Sequence, residues 1–305
     1  MHVVISGGSG LIGRALTINL LRDEHSVTIL SRRAGSTKLP SGAQALHWDG
    51  INTSGWERDL ERTDAVVHLA GESIAGARIL PQRWTDEKKE LIRSSRVSTG
   101  QVLSDAIESA KHKPTVFIQA SAVGYYGPLG SQPITESQPP GTDFLSTVCR
   151  DWEVSSAQVE SLGVRYLVTR FGLPLCMEGG VLPRLALPLR MFLGGPLGGG
   201  SQYYPWIHMG DTVGALRFLM ENEDTHGAFN ITAPAPVTNA EFTHALARTL
   251  RRPSWLPVPG FAFRTLFGEM ASLVLCGQRA LPERLQSAGY AFRYPDLDEA
   301  LRDII

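Results

Sequence analysis

The stretch Ser6-Gly7-Gly8-Ser9-Gly10-Leu11-Ile12-Gly13 decides the fold. Before it, His2-Val3-Val4-Ile5 reads as a buried strand, and after it residues 11–23 have the periodicity of a helix. The glycines fall at 7, 10 and 13. Between a strand and a helix, Gly7 permits a tight turn, Gly10 lets backbone approach a pyrophosphate, and Gly13 lets helix and strand pack closely. The helix N-terminus adds N–H groups with no intrahelical partner and the positive end of a dipole. Gly7, Ser9, Gly10, Leu11, Ile12 and Gly13 are therefore expected to cradle the phosphates of a dinucleotide.

Working outward, strands are expected at residues 2–6, 27–31, 44–48, 65–69, 116–121, 166–170 and 228–232, and helices at 11–23, 84–110, 143–162 and 211–222. This alternation predicts βαβ units and a parallel sheet. The run Ala65-Val66-Val67-His68-Leu69-Ala70 fits a strand covered on both faces. The expected class is α/β, a Rossmann-type doubly wound parallel sheet with a small, discontinuous C-terminal substrate region. The composition changes after Arg170: residues 172–210 are rich in Gly and Pro, and 194–200 hold five glycines, suited to close ligand approach or a lid hinge. Residues 235–305 read as two or three helices between proline-bearing loops. The expected division is a cofactor domain of 1–171 plus about 201–234, and a substrate or lid region of about 172–200 plus 235–305.

The second strand ends Leu30-Ser31-Arg32-Arg33, with no carboxylate for ribose hydroxyls. A guanidinium grips a 2′-phosphate with paired hydrogen bonds. The expected cofactor is NADP, held by Ser31, by Arg32 first and by Arg33 second. Leu69-Ala70-Gly71-Glu72, after the fourth strand, is expected to pass near the adenosine half.

The 305 residues carry 29 Lys and Arg against 30 Asp and Glu, a net charge of −1. That leaves no overall basic field for nucleic acid or an anionic membrane, so neither is an expected partner. No apolar run reaches the ~18 residues of a membrane span. Three widely spaced cysteines argue against a disulfide scaffold or thiolate metal site, and no metal is expected. With a strand read from the second residue, no targeting segment is expected. A cytoplasmic monomer or homodimer with a small-molecule substrate is the expected setting.

The strings Ser6–Gly13, Leu69-Ala70-Gly71-Glu72, Ser121-Ala122-Val123-Gly124-Tyr125-Tyr126-Gly127, residues 194–198, Pro205-Trp206-Ile207-His208-Met209-Gly210-Asp211 and residues 277–285 resemble the YfcH-type epimerase family of the extended, atypical short-chain dehydrogenase/reductases. The resemblance spans the whole chain. It implies an NADP-type cofactor, a small polar substrate such as a nucleotide sugar, and a loop near the nicotinamide at Arg170 and Gly172. It also departs from the wider family, whose Tyr-x-x-x-Lys pair exchanges a proton at the reacting oxygen. With Glu153 as anchor, Leu145 and Cys149 occupy those two positions, and Arg96 stands where an Asn is usual. Ser121, Tyr125, Tyr126 and Arg96 are the expected catalytic substitutes. Asp211 reads as the N-cap of the helix that follows it. Two functions remain open: an NADP-dependent oxidoreductase or epimerase working by hydride transfer, and a non-catalytic NADP(H) sensor or cell-division-inhibitor-like regulator that lost the Tyr-x-x-x-Lys pair.

Overall fold

The computed structural model describes residues 1–32, 34–35, 39–76 and 83–305. The chain runs β1 (His2–Ser6), α1 (Leu11–Arg22), β2 (Ser26–Ser31), β3 (Gln44–His47), α2 (Glu57–Leu60), β4 (Ala65–His68), α3 (Asp86–Ser109) and β5 (Val116–Ala122). A 3₁₀ turn (Val123–Tyr126), β6 (Pro133–Ile134), α4 (Phe144–Ser155), a second 3₁₀ turn (Ala157–Leu162), β7 (Arg165–Phe171), β8 (Leu173–Leu175) and α5 (Leu182–Arg190) follow. The rest comprises β9 (Tyr203–Tyr204), β10 (Trp206–His208), α6 (Met209–Glu221), β11 (Gly227–Ile231), β12 (Val237–Thr238), α7 (Asn239–Leu250), α8 (Gly260–Phe267), α9 (Ser272–Leu275), β13 (Arg279–Ala280), α10 (Glu283–Ser287) and α11 (Leu297–Ile304).

Seven strands form one parallel sheet in the order β11-β7-β5-β4-β1-β2-β3. Alternate residues of β1 feed two cores, as strand geometry demands. Val3 and Ile5 join Leu16 and Leu20 of α1 and Leu216 and Leu219 of α6 on one face. Val4 joins Leu103 and Ile107 of α3 and Phe117 on the other. Helices on both faces explain why these strands read as continuous apolar runs. The sheet is the expected doubly wound one. The chain moves from β1 outward to β2 and β3, then restarts on the other side of β1 with β4, so the crevice where open α/β sheets bind ligands lies beyond the ends of β1 and β4. A third apolar cluster joins Leu175, Leu182, Trp206, Phe242, Leu246 and Leu301.

Several expectations need correction. Helix 84–110 begins two residues later, because the Thr85 side chain caps it by accepting from the Lys88 N–H at 3.2 Å. Helix 143–162 breaks at Ser156, whose hydroxyl donates to Gln119 Oε1 at 2.5 Å, a local alternative to helical bonding of the kind serine favours. Residues 239–304 hold five short helices rather than two or three: Pro253, Pro257, Pro259, Pro282 and Pro295 fall in three of the four breaks, and a 3₁₀ turn (Gly268–Ala271) joins α8 to α9. Asp211 is not the N-cap: His208 is, with Nδ1 accepting from the Gly210 N–H at 2.9 Å. The Asp211 carboxylate is buried and accepts from the N–H groups of Arg293 and Tyr294, each at 2.8 Å, tying the C-terminal segment to the sheet domain. The glycine-rich run packs against its own chain, since a Cβ on Gly195 would lie 2.3 Å from the Leu256 carbonyl oxygen.

Candidate cofactor and substrate site

At the β1–β4 crevice two loops touch. Gly7 has φ +74°, and a Cβ there would lie 2.7 Å from the Leu69 carbonyl and the Ala70 nitrogen. A Cβ on Gly13 would lie 2.5 Å from the Gly7 carbonyl oxygen. Contacts with the chain's own backbone thus forbid side chains at both positions. Gly10 is the N-cap of α1 and supplies no side-chain cap, which leaves the N–H groups of the first turn, on Leu11 and Ile12, available to an anion. Ser9 and Gly10 are exposed, and the Leu69 N–H donates to the Ser6 carbonyl at 3.0 Å, holding the second loop beside the first. Gly13→Ala should therefore lower stability by roughly 1–3 kcal/mol, the scale of overpacking, read as a lower denaturation midpoint.

Arg32 is exposed just beyond β2, on the side of the crevice expected for a 2′-phosphate, with Ser31 at the strand end; Arg33 lies outside the described residues. Glu72 faces the opposite way in function: its carboxylate pairs with Lys88 at 2.9 Å and its N–H donates to Ser95 Oγ. Gly71 sits against the Arg96 guanidinium, where a Cβ would come within 3.0 Å of Cζ.

Beneath the phosphate loop, His68 is fully buried, with Ser6 Oγ 2.6 Å from Nδ1 and Thr99 Oγ1 3.2 Å from Nε2. The Thr99 hydroxyl donates to Ser95 O at 2.8 Å, so Nε2 carries the hydrogen and Nδ1 accepts from Ser6. Burial lowers the His68 pKa to about 3, so the ring is neutral. Between that value and the ordinary one near 6.5, the unfolded chain takes up a proton that the folded chain refuses. This contribution is full above pH ~6.5 and is lost as pH falls toward 3, by at most about 1.4 kcal/mol per pH unit. His68→Gln should flatten the acid limb of a stability–pH curve relative to the wild type.

At the ends of β5 and β7 a buried polar chain forms. Ser121 Oγ donates to Glu153 Oε1 at 2.6 Å, and Arg170 grips the same carboxylate with Nε and Nη2, each at 2.9 Å. Arg170 Nη1 donates to the Tyr126 hydroxyl at 3.0 Å, which donates to Asn230 Oδ1 at 2.7 Å. Burial alone would lower the Arg170 pKa, but hydrogen bonds and charge from Glu153 raise it above its ordinary value. Tyr126 is buried and burial pushes its pKa up to about 12. The Tyr125 ring stacks on the Arg170 guanidinium at 3.6 Å. Neither tyrosine is among the residues lining the neighbouring cavity; both rings lie against the Arg170 guanidinium. Arg170 likewise spends its guanidinium inside the protein. Arg96 is buried over the Trp152 ring at 4.9 Å and donates to the carbonyls of Glu72 and Ile92, each at 3.0 Å; burial lowers its pKa. Glu153 organises this cluster, although sequence reasoning used it only as an anchor. A carboxylate one turn past buried Cys149 on the inner stripe of α4 was the available signal.

Beside the cluster lies a cavity of about 450 Å³, within the ~300–1,000 Å³ of small-molecule sites. Leu145 and Cys149 both line it, as do Ala122, Gly124 and Gly172. The positions that carry Tyr and Lys in the wider family thus reach the cavity, but with an alkyl group and a thiol whose pKa burial pushes up to about 12. Among the described residues no cluster of His, Cys, Asp or Glu could hold a metal, and no helix is long and apolar enough to cross a membrane.

Residues 3–232 match the model of the NAD dependent epimerase/dehydratase family. The chain belongs to that family. Residues 258–304 match a domain of unknown function, DUF1731. The chain is 39% identical over 306 residues to the epimerase family protein YfhF of Bacillus subtilis, covering 100% of this chain and 98% of that protein. It is 40% identical over 300 residues to the epimerase family protein Mb2239 of Mycobacterium bovis, covering 98% and 96%. The crystal structure of human epimerase family protein SDR39U1 with NADPH superimposes with a TM-score of 0.89 at 36% identity, covering 100% of this chain and 99% of that one. The UDP-glucose 4-epimerase of Thermus thermophilus, solved with NAD, shares the fold at a TM-score of 0.78 and 18% identity. The resemblance read from the motifs therefore holds at the level of family and fold.

Proposed function

We propose that this family member binds NADPH across the β1–β4 crevice and presents its nicotinamide to a small molecule held in the 450 Å³ cavity. The observation that carries the reading is the phosphate loop: glycines enforced by backbone contact, an α1 N-terminus without a side-chain cap, and exposed Arg32 where an NAD site would place a carboxylate. The human relative solved with NADPH supports it. Leu11, Ile12 and Gly13 would hold the pyrophosphate, and Arg32, with Arg33, the 2′-phosphate. Bound NADPH would supply a hydride. Ser121, Glu153 and Arg170 would hold the ends of β5 and β7 in register beside the cavity, and Cys149 would remain a neutral thiol. We read residues 172–200 and 235–305 as the substrate region; the third apolar cluster joins these two segments to each other and, through Tyr204, Trp206 and Ala233, to the cofactor domain.

A second reading is favoured by Leu145 and Cys149 at the cavity: with no Tyr-x-x-x-Lys pair, the chain would serve as a non-catalytic NADP(H) sensor. Fluorescence titration with NADPH tests the cofactor, and single-turnover oxidation of bound NADPH against carbonyl compounds separates the two readings. Binding with measurable oxidation supports the enzyme; binding with none across the panel supports the sensor.

A further inference from the structure

We infer that the ligand of the 450 Å³ cavity is an uncharged, largely apolar ring compound that carries no phosphate group, and not a nucleotide sugar. This rests on reading the adjoining crevice as the NADPH site. The walls are formed by Trp84, Phe144, Leu145, Phe171, Leu173 and Leu273, which offer flat and branched apolar surface. No Lys or Arg stands among the described lining residues, whereas Asp143 and Glu269 do. A diphosphate entering here would meet no Lys or Arg among the described lining residues and would face the Asp143 carboxylate, while Glu269 is already paired with Lys89. Burying such charge is strongly unfavourable unless it is paired.

Several of the described cations nearby are already paired. Lys89 pairs with Glu269 and lies 5.4 Å from the centre of the Phe144 ring. Lys88 holds Glu72, and Arg93 holds Asp151 at 3.0 Å. Arg96 donates to backbone carbonyls. Arg279 lies over the Tyr203 ring at 5.3 Å and its buried Nε has no hydrogen-bond partner, but it does not itself line the cavity. Helix N-termini are the other common phosphate site. The start of α4, which borders this cavity, is already capped: Asp143 accepts from the Ser146 N–H at 3.1 Å and from its hydroxyl at 2.9 Å. Amide donors are also committed, since Gln278 Nε2 donates to the Gly127 carbonyl at 3.1 Å. What the cavity offers is apolar contact, with the Tyr203 ring and the Cys149 and Cys276 thiols as its soft polar points.

The test begins by saturating the protein with NADPH, followed by calorimetric titration with acetophenone, cyclohexenone and 2-methyl-1,4-naphthoquinone in parallel with UDP and UDP-glucose. The ring compounds should bind saturably and raise the thermal midpoint, while UDP and UDP-glucose should do neither. Leu273 is partly exposed at the cavity wall, so Leu273→Arg should leave NADPH binding intact and weaken the ring compounds roughly tenfold or more. Saturable binding of UDP-glucose, above all binding lost in Arg279→Ala, overturns the inference. So does a lack of binding by every ring compound to protein that binds NADPH. If NADPH itself does not bind, the cofactor reading fails instead, and the same ligand titrations on the free protein decide the ligand class.

Discussion

Glu153→Ala is expected to cost about 3–5 kcal/mol of stability, the scale for removing one partner of a buried ion pair. The side chains of Arg170 and Glu153 are only 6% and 12% exposed. Truncation would leave the guanidinium buried with two fewer acceptor contacts and would also orphan the Ser121 hydroxyl. At roughly 2–4 °C per kcal/mol for larger domains, the loss should be plain in a melting curve. Glu153→Gln keeps an acceptor oxygen and should lose less. Truncating Arg170 in the Glu153→Ala background should then cost little more, because the pair acts as a unit. A loss below about 1 kcal/mol in Glu153→Ala would mean that solvent or another carboxylate replaces the pair.

Arg32→Ala should weaken NADPH by roughly 10- to 100-fold, the equivalent of ~1.5–3 kcal/mol for a hydrogen bond to a charged group, and leave NADH within about twofold. The difference between the cofactors is the 2′-phosphate alone, so the ratio of the two affinities isolates that contact. Arg33, next in sequence, would retain part of the binding, and the double variant should approach the affinity for NADH. An equal loss for both cofactors would place Arg32 in a structural role and remove the basis for NADP preference.

The glycine spacing at 7, 10 and 13 made the crevice legible because it reports a local backbone constraint, visible within one strand–loop–helix unit. The parallel sheet was legible for a similar reason: Val3, Ile5 and Val4 must all be apolar when helices cover both faces. What sequence reasoning missed depends on partners distant along the chain. Asp211 has the composition of an N-cap, yet its carboxylate serves Arg293 and Tyr294, 82 and 83 residues away. Tyr126 sits in a family-like string, yet Arg170 and Asn230, 44 and 104 residues away, settle where its hydroxyl goes. The Ser155-Ser156 pair ended a helix whose apolar periodicity continued past it, because Ser156 found Gln119 on β5. The apolar character of the cavity also escaped notice, since its walls come from six or more separate segments.

The most direct test of the central claim is where the nicotinamide lies in a crystal structure of the NADPH complex. The expected result places the pyrophosphate against Leu11 and Ile12, the 2′-phosphate within hydrogen-bonding reach of Arg32, and the nicotinamide ring at the mouth of the cavity lined by Gly124, Leu145 and Cys149. A cofactor bound with its nicotinamide turned away from that cavity, or with its 2′-phosphate remote from Arg32, would contradict it.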